Sequence, residues 1–364
     1  MAKKYCIISF ENIFILPYAR FYADKILNNQ HRCDLVFWDR TAENGKNDSY
    51  RDCVIKCFNY RIGPRSNKIT KLIGYIKTIR FIKRILKTTD YDRLVFLQTH
   101  AAVLCLGSLM KKYKGKYIVD IRDYMLEGHA WFFKKEKRTL NKSFANIISS
   151  PAYTHFLPIG NYTVAHNYIP FSKEELSDYY ANKIVSEKIR ISYVGTIRFI
   201  EMDKKILSLF ANDERFVIGY YGRGSEVLKE FCEENNIRNV DFYGAFAPNQ
   251  TIGFYKKTDV INNLYGNNSK ELNYALSNKL YHCAQLGIPI IVCADTYMAS
   301  ITQQYHLGFV VDVEKKETLD LLYDQYLHFD FEKMKSGSKD FLKRVEEDNE
   351  KWEQKVDLFA QGER

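Results

Sequence analysis

Apolar and polar positions along this chain follow two rhythms. Short apolar, β-branched runs bounded by glycine or polar residues read as buried strands over residues 5–10, 35–38, 53–58, 93–98, 116–121, 146–149 and within 158–169. Between them, apolar residues at helical spacing predict helices over 17–27, with Pro17 in the first turn, over 71–87 and over 101–113. Residues 40–50 are polar and read as a surface loop. A second series starts after residue 182, with strands over 188–195, 215–220, 239–243, 260–264, 290–292 and 309–311. Its helices run through Phe210, over 225–235 and over 275–286, where Gly287 stops the last one and Pro289 precedes a strand. Strand, helix, strand, repeated, is the grammar of a parallel α/β sheet.

With 364 residues the chain is long enough for two such domains, each burying its own core. We expect a first domain over 1–170, a linker over 171–182, a second domain over 183–330, and amphipathic C-terminal helices over 331–364 that could bridge them. Charge supports the division. Residues 1–180 carry 30 Lys and Arg against 16 Asp and Glu, and the rest carry 24 against 28. The eight cysteines form no C-x-x-C pair and mostly lie in apolar runs, as reduced thiols of a cytosolic protein do. The opening apolar run is too short for a signal peptide and reads as the first strand. No run reaches the roughly 18 apolar residues of a membrane span.

Residues 71–87, KLIGYIKTIRFIKRILK, carry one apolar stripe of Leu72, Ile76, Ile79, Ile82, Ile85 and Leu86, flanked by Lys77, Arg80, Lys83, Arg84 and Lys87. Such a segment is either a crossover helix with a solvated outer face or a helix that lies on an anionic membrane surface. WFFKKEKR at 131–138 is a second candidate for that surface. Nucleic acid would also suit a basic half, but no recognition motif is present.

Candidate chemistry gathers at strand ends, where open parallel sheets place their sites. Gln98-Thr99-His100 ends one strand, and Asp120-Ile121-Arg122-Asp123, two acids flanking an arginine, ends another. In the second half Gly195, Thr196, Arg198 and Lys204 follow one strand and Gly222-Arg223-Gly224 the next. Arg gives phosphate two parallel hydrogen bonds and Lys adds a mobile charge, so Arg198 and Lys204 suit a diphosphate. Ser277, Asn278, Lys279 and His282 occupy the start of a helix, whose free N–H groups also favour phosphate. Asp90-Tyr91-Asp92 precedes a strand instead of following one, and reads as a solvated turn. No other acid, His or Cys cluster has ligand spacing, so no metal is expected.

The stretch SNKLYHCAQLGIPIIV resembles the P-N-K-L-x-E-x4-G-x-P-V-I signature of GT-B glycosyltransferases similar to family four, those that build bacterial capsular and surface polysaccharides. Arg198 and Lys204 match that family's Arg-x5-Lys pair, and Asp120 to Asp123 its D-x-R-D. The resemblance implies two Rossmann-like domains facing across a cleft, C-terminal helices packing back on the body, and transfer without a metal or other cofactor. A sugar would pass from a UDP- or GDP-linked donor to a glycan or polyprenyl-diphosphate-linked acceptor. The protein would be cytoplasmic and peripheral on the inner face of the cytoplasmic membrane. It assigns donor binding to Gly195, Thr196, Arg198, Lys204, Gly222, Gly224, Tyr274, Asn278, Lys279 and His282. Acceptor activation falls to Asp123, His100 or Glu127. The family's two glutamates, eight positions apart, are here Tyr274 and His282, and its glycine-rich first loop is here Phe10-Glu11-Asn12-Ile13-Phe14. These departures keep open a second reading, a non-catalytic sugar- or nucleotide-binding module with the same fold.

Overall fold

The computed structural model describes residues 2–41, 49–63, 66–182, 184, 187–315 and 317–362. Most of the loop expected over 40–50 lies outside them. The chain forms two compact units, one of Met1–His166 with Glu347–Arg364, the other of Asn167–Glu346.

In the first unit, β1 (Lys4–Ser9), β2 (Arg32–Asp39), β3 (Val54–Asn59), β4 (Arg93–Phe96), β5 (Tyr117–Ile121), β6 (Ala145–Ile148) and β7 (Thr163–Val164) form one sheet. Its order is β3-β2-β1-β4-β5-β6-β7, parallel throughout. The chain therefore winds outward one way from β1, returns, and winds out the other way from β4. The connections are α1 (Pro17–Asn28), α2 (Lys68–Thr88), α3 (Thr99–Leu106) and α4 (Ala130–Leu140). The helix expected over 101–113 starts two residues earlier and breaks at Gly107, whose φ of +41° lies outside the right-handed region. The expected stripe of α2 divides. Gly74, Thr78, Ile82, Ile85 and Leu86 face the sheet, while Leu72 and Ile76 stay exposed. Gly74 is needed there, because a Cβ would stand 2.8 Å from the Trp38 ring.

The second unit opens with α5 (Lys173–Ala181), which occupies the run expected as a linker. Ser172 and Glu175 close a capping box, and Tyr179 is buried in the core of this unit. There follow β8 (Ile189–Val194), α6 (Ile200–Leu209), β9 (Phe216–Tyr221), α7 (Ser225–Glu234), β10 (Val240–Tyr243), α8 (Thr251–Tyr255), β11 (Val260–Asn263), α9 (Lys270–Tyr274), α10 (Asn278–Leu286), β12 (Ile290–Cys293), α11 (Tyr297–Gln304), β13 (Gly308–Val311) and α12 (Thr318–Leu327). The strand order β10-β9-β8-β11-β12-β13 is that of a dinucleotide-fold sheet, with all pairs parallel.

A last helix, α13 (Phe331–Gln361), serves both cores. Met334, Phe341 and Val345 join the apolar cluster of the second unit. Trp352, Val356 and Phe359 join that of the first. Among the described residues no helix is long and apolar enough to cross a membrane.

Candidate active site

Each sheet reverses its winding direction between two central strands, β1/β4 in the first unit and β8/β11 in the second. Crevices at such switch points are where α/β sheets hold ligands.

At the β8/β11 switch point, the loop after β8 carries Gly195 and Thr196, and Gly222 follows β9. The two loops touch so closely that a Cβ on Gly222 would stand 1.9 Å from the Gly195 carbonyl oxygen, and Gly222 has φ +150°. Gly224, at φ +96°, caps α7. Lys279, expected at a helix start that favours phosphate, does not stand in solvent. It is buried, its ammonium lying 3.9 Å from the Tyr193 ring centroid and donating to the Tyr265 hydroxyl at 2.8 Å. This point is also 3.8 Å from where a Gly195 Cβ would be. Burial alone would push the Tyr265 phenol up, but the Lys279 ammonium, with hydrogen bonds to Tyr193 and Ser277, turns the net shift downward. Beneath lies Asp203, pushed up to about 7 chiefly by burial, with one oxygen accepting from Tyr220 at 3.1 Å. A cation, phenols and a buried acid thus line the strand ends, and cation–π contact holds the lysine in place.

Arg198 is exposed and makes no ion pair among the described residues. Lys204 lies on α6, 3.6 Å from Glu201 and over the Phe231 ring at 5.5 Å. Asn278 opens α10 exposed, and Ser277 caps it by accepting from the Lys279 N–H at 3.3 Å. Tyr274 ends α9, half-buried. His282 faces inward on α10, its Nδ1 3.0 Å from the Tyr255 hydroxyl and its ring 5.2 Å from that of Phe171. Burial, and then the Lys279 charge, push it down to about 4, so it is neutral at pH 7.

At the β1/β4 switch point, Gln98 Oε1 joins the two strand ends by accepting from the Phe10 N–H at 3.0 Å and the Ser9 hydroxyl at 3.3 Å. His100 sits in the first turn of α3, sealed by Phe10 and Tyr75. Neither of its ring nitrogens is exposed or partnered, and burial, aided by Arg40, pushes it down to about 3. The D-x-R-D run divides by role. Asp120 and Arg122 are both buried and pair with each other at 2.5 Å. Asp120 also accepts from Tyr22 at 2.7 Å, and Arg122 donates to the Ala165 carbonyl at 2.8 Å. This pair is therefore structural, and only Asp123 reaches solvent. Glu127 is buried, accepts from the Met125 N–H at 2.5 Å and is pushed up by burial. His100, Asp123 and Glu127 all stand beyond the carboxyl ends of the neighbouring strands β4 and β5.

In the Asp90-Tyr91-Asp92 turn, Asp90 is exposed and pairs with Lys112 at 2.6 Å, but Tyr91 is buried and donates to Asp34. Among the described residues no group of three or more His, Cys, Asp or Glu could hold a metal ion. Sequence reasoning missed Asp203, Tyr193, Tyr265 and Arg40. A signal existed for Asp203, an acid at an inward position of α6 between Ile200 and Ile206.

No protein-family model matches the chain, and no curated protein matches it. Solved structures do. Sucrose-phosphate synthase (tll1590) from Thermosynechococcus elongatus superposes with a TM-score of 0.68 at 13% identity, over 99% of this chain and 98% of that one. Anabaena Alr3699/HepE in complex with UDP gives 0.65 at 12%, over 97% and 99%. WaaG, a glycosyltransferase involved in lipopolysaccharide biosynthesis, gives 0.57 at 12%, over 99% of both chains. The chain has the GT-B fold of these proteins.

Proposed function

We propose that this protein is a glycosyltransferase that moves a hexose-type sugar from a nucleoside-diphosphate donor, UDP- or GDP-linked, to a glycan or polyprenyl-diphosphate-linked acceptor in bacterial surface-polysaccharide synthesis. It works in the cytoplasm and uses no metal. One observation carries the reading: the β8/β11 switch point combines glycine-lined loops, the exposed Arg198 and the α10 N-terminus. Its support from likeness is that HepE, a protein of the same fold, is seen in complex with UDP and with UDP-glucose.

In this reading Arg198 and Lys204 receive the diphosphate. Lys204 is available because its pairing to the largely exposed Glu201 at 3.6 Å is weak, and such surface pairs are easily exchanged. Asn278 and the α10 N–H groups complete the cradle, with Gly195, Thr196, Gly222 and Gly224 admitting phosphate close to the backbone. Buried Lys279, fixed by Tyr265 and Tyr193, contributes positive potential under the leaving group, where charge grows in the transition state. Tyr274 and neutral His282 line the donor pocket, His282 offering one ring nitrogen beyond the one shared with Tyr255. Asp123, the one solvent-exposed acid among the three acceptor-side candidates, orients or deprotonates the acceptor hydroxyl.

Arg198→Ala is expected to lower sugar transfer on the order of a hundredfold, the loss of charge-assisted hydrogen bonds to phosphate, with no change in Tm. Turnover within twofold of wild type would remove Arg198 from the site. The sealed His100 favours a second reading, a nucleotide-sugar-binding module without turnover. Thermal-shift screening of UDP- and GDP-sugars, followed by turnover assays of each hit, separates the two: binding without hydrolysis or transfer selects the module.

A further inference from the structure

Cys33 and Cys53 are distant in sequence but adjacent in the first sheet. Strands β2 and β3 pair in parallel from Asp34 opposite Val54 onward, so the two cysteines stand one step before the first pair, in the same register. Neighbouring strands run roughly 4.8 Å apart, inside the Cα separation of roughly 4.4–6.8 Å that a disulfide spans. Both side chains face the α1 side of the sheet. Cys33 belongs to the apolar cluster there, and Cys53 packs against it. The two thiols share a hydrogen bond.

The pair is asymmetric. Cys33 is 1% exposed, whereas Cys53 is only half-buried. Cys53 follows a turn that α1 holds in place. Its N–H donates to the Tyr50 carbonyl at 3.0 Å, while the Tyr50 hydroxyl donates to Asp24 at 2.6 Å and Arg51 donates to the other Asp24 oxygen at 2.5 Å. The hydrogen bond from Cys33 lowers the Cys53 thiol, burial opposes it and Arg51 adds to it, for a net shift downward. The same bond, and then burial, push Cys33 up. A thiol near the surface that ionises first, backed by a buried partner, is the division between an attacking and a resolving cysteine. Cys6, Cys105 and Cys283 are different: each is sealed in the core and pushed up by burial.

We propose that Cys33 and Cys53 form a reversible disulfide by exchange with a low-molecular-weight disulfide such as oxidised glutathione. The Cys53 thiolate attacks one sulfur of that molecule, whose other half leaves as a thiolate and takes up the proton that Cys53 gave away. The Cys33 sulfur then attacks the Cys53 sulfur of the mixed disulfide, and its proton passes to the second half as that leaves. Two protein thiols are oxidised, and one small disulfide is reduced to two thiols by the same two electrons. The new bond staples β3, the edge strand of the sheet, to β2. It lies at the amino ends of these strands, not at the carboxyl ends that carry the candidate site. The proposal therefore stands or falls apart from the sugar-transfer reading.

The test is incubation of the full chain with oxidised glutathione at mildly alkaline pH, acid quenching, alkylation, and peptide mass spectrometry without reduction. The expected product has lost two hydrogens and joins the peptides that carry Cys33 and Cys53, with Cys6, Cys105 and Cys283 alkylated only after unfolding. Closing a ring from residue 33 to residue 53 should raise the Tm of the first unit on the order of 5 °C, and dithiothreitol should reverse the rise. Cys33→Ala should stop the reaction at a glutathione adduct on Cys53. Cys53→Ser, at the less buried position, should leave Cys33 unreacted, which keeps the test open if the core substitution unfolds the chain. A lasting adduct on wild-type Cys53 without a crosslink would overturn the proposal. So would a crosslink from Cys53 to Cys6 or Cys57, reaction of Cys33 in folded Cys53→Ser, or no reaction of the folded wild type at Cys53.

Discussion

Glu136 has no exposed surface, and neither of its carboxyl oxygens has a hydrogen-bond partner. Burial, and then the nearby Glu127, push it up to about 9. A carboxyl whose pKa is raised on folding stabilises the protein fully below its unfolded value of about 4.5, and that contribution is lost as pH climbs through the folded value. Asp203, at about 7, acts in the same sense over a lower window. His282 and His100, pushed down to about 4 and about 3, act in the opposite sense and only below their ordinary value of 6.5. The opposing contributions overlap in acid but not above pH 7, where Glu136 acts alone among these four. Tm is therefore expected to fall from pH 7 to 9, and Glu136→Gln to flatten that slope. A wild-type Tm that is level over this range would show that Glu136 is already ionised.

Among elements, the paired loops after β8 and β9 tolerate little change. A Cβ on Gly222 would collide with the Gly195 carbonyl, a backbone atom that cannot turn aside, and its φ disfavours any L side chain. Gly222→Ala should cost about 3 kcal/mol, measured by denaturant unfolding, and abolish nucleotide-sugar binding because both loops must move. Gly253→Ala, a position with nothing within 4 Å of the added carbon, is the control.

The strands of both sheets were legible in the chain because buried parallel strands are nearly continuous apolar runs such as those of β1, β8 and β12. The short helices were less so. Helix α5 has Tyr179 as its single buried residue, and its polar remainder reads as a loop. Site residues at strand ends could be placed because strand ends are local features. Their contacts could not, since the Lys279 ammonium meets Tyr193 of β8 and Tyr265 of the loop after β11. The same limit hid the loss of Asp120 and Arg122 to a structural pair, and it hid that Leu72 and Ile76, on one stripe with Ile82 and Leu86, stay exposed while those two are buried.

At the scale of the whole molecule, α13 ties the end of the chain to its beginning. Trp352 Nε1 donates to the Tyr22 hydroxyl at 3.1 Å, and the Tyr5 hydroxyl donates to the Ala360 carbonyl at 2.9 Å. Cutting the chain at residue 166 therefore removes part of the first core, not merely a neighbour. Residues 1–166 alone are expected to keep far-UV ellipticity, lose near-UV ellipticity and bind a hydrophobic dye. A peptide of residues 347–362 added in trans should restore the near-UV signal. Native-like spectra for the fragment alone would show that α13 is dispensable to it.

That shared helix also sets an order of events during synthesis. The first sheet leaves the ribosome early, yet the side chains that cover its α1 face are made only after the whole of residues 167–346. Residues 167–346 emerge in one uninterrupted stretch and can close their core before the first unit has received Trp352, Val356 and Phe359. The first unit must wait, partly uncovered, until residues 347–362 have been made. Stop codons or rare-codon pauses placed just before residue 347 would thus expose the first unit, and not the second, to proteases and chaperones.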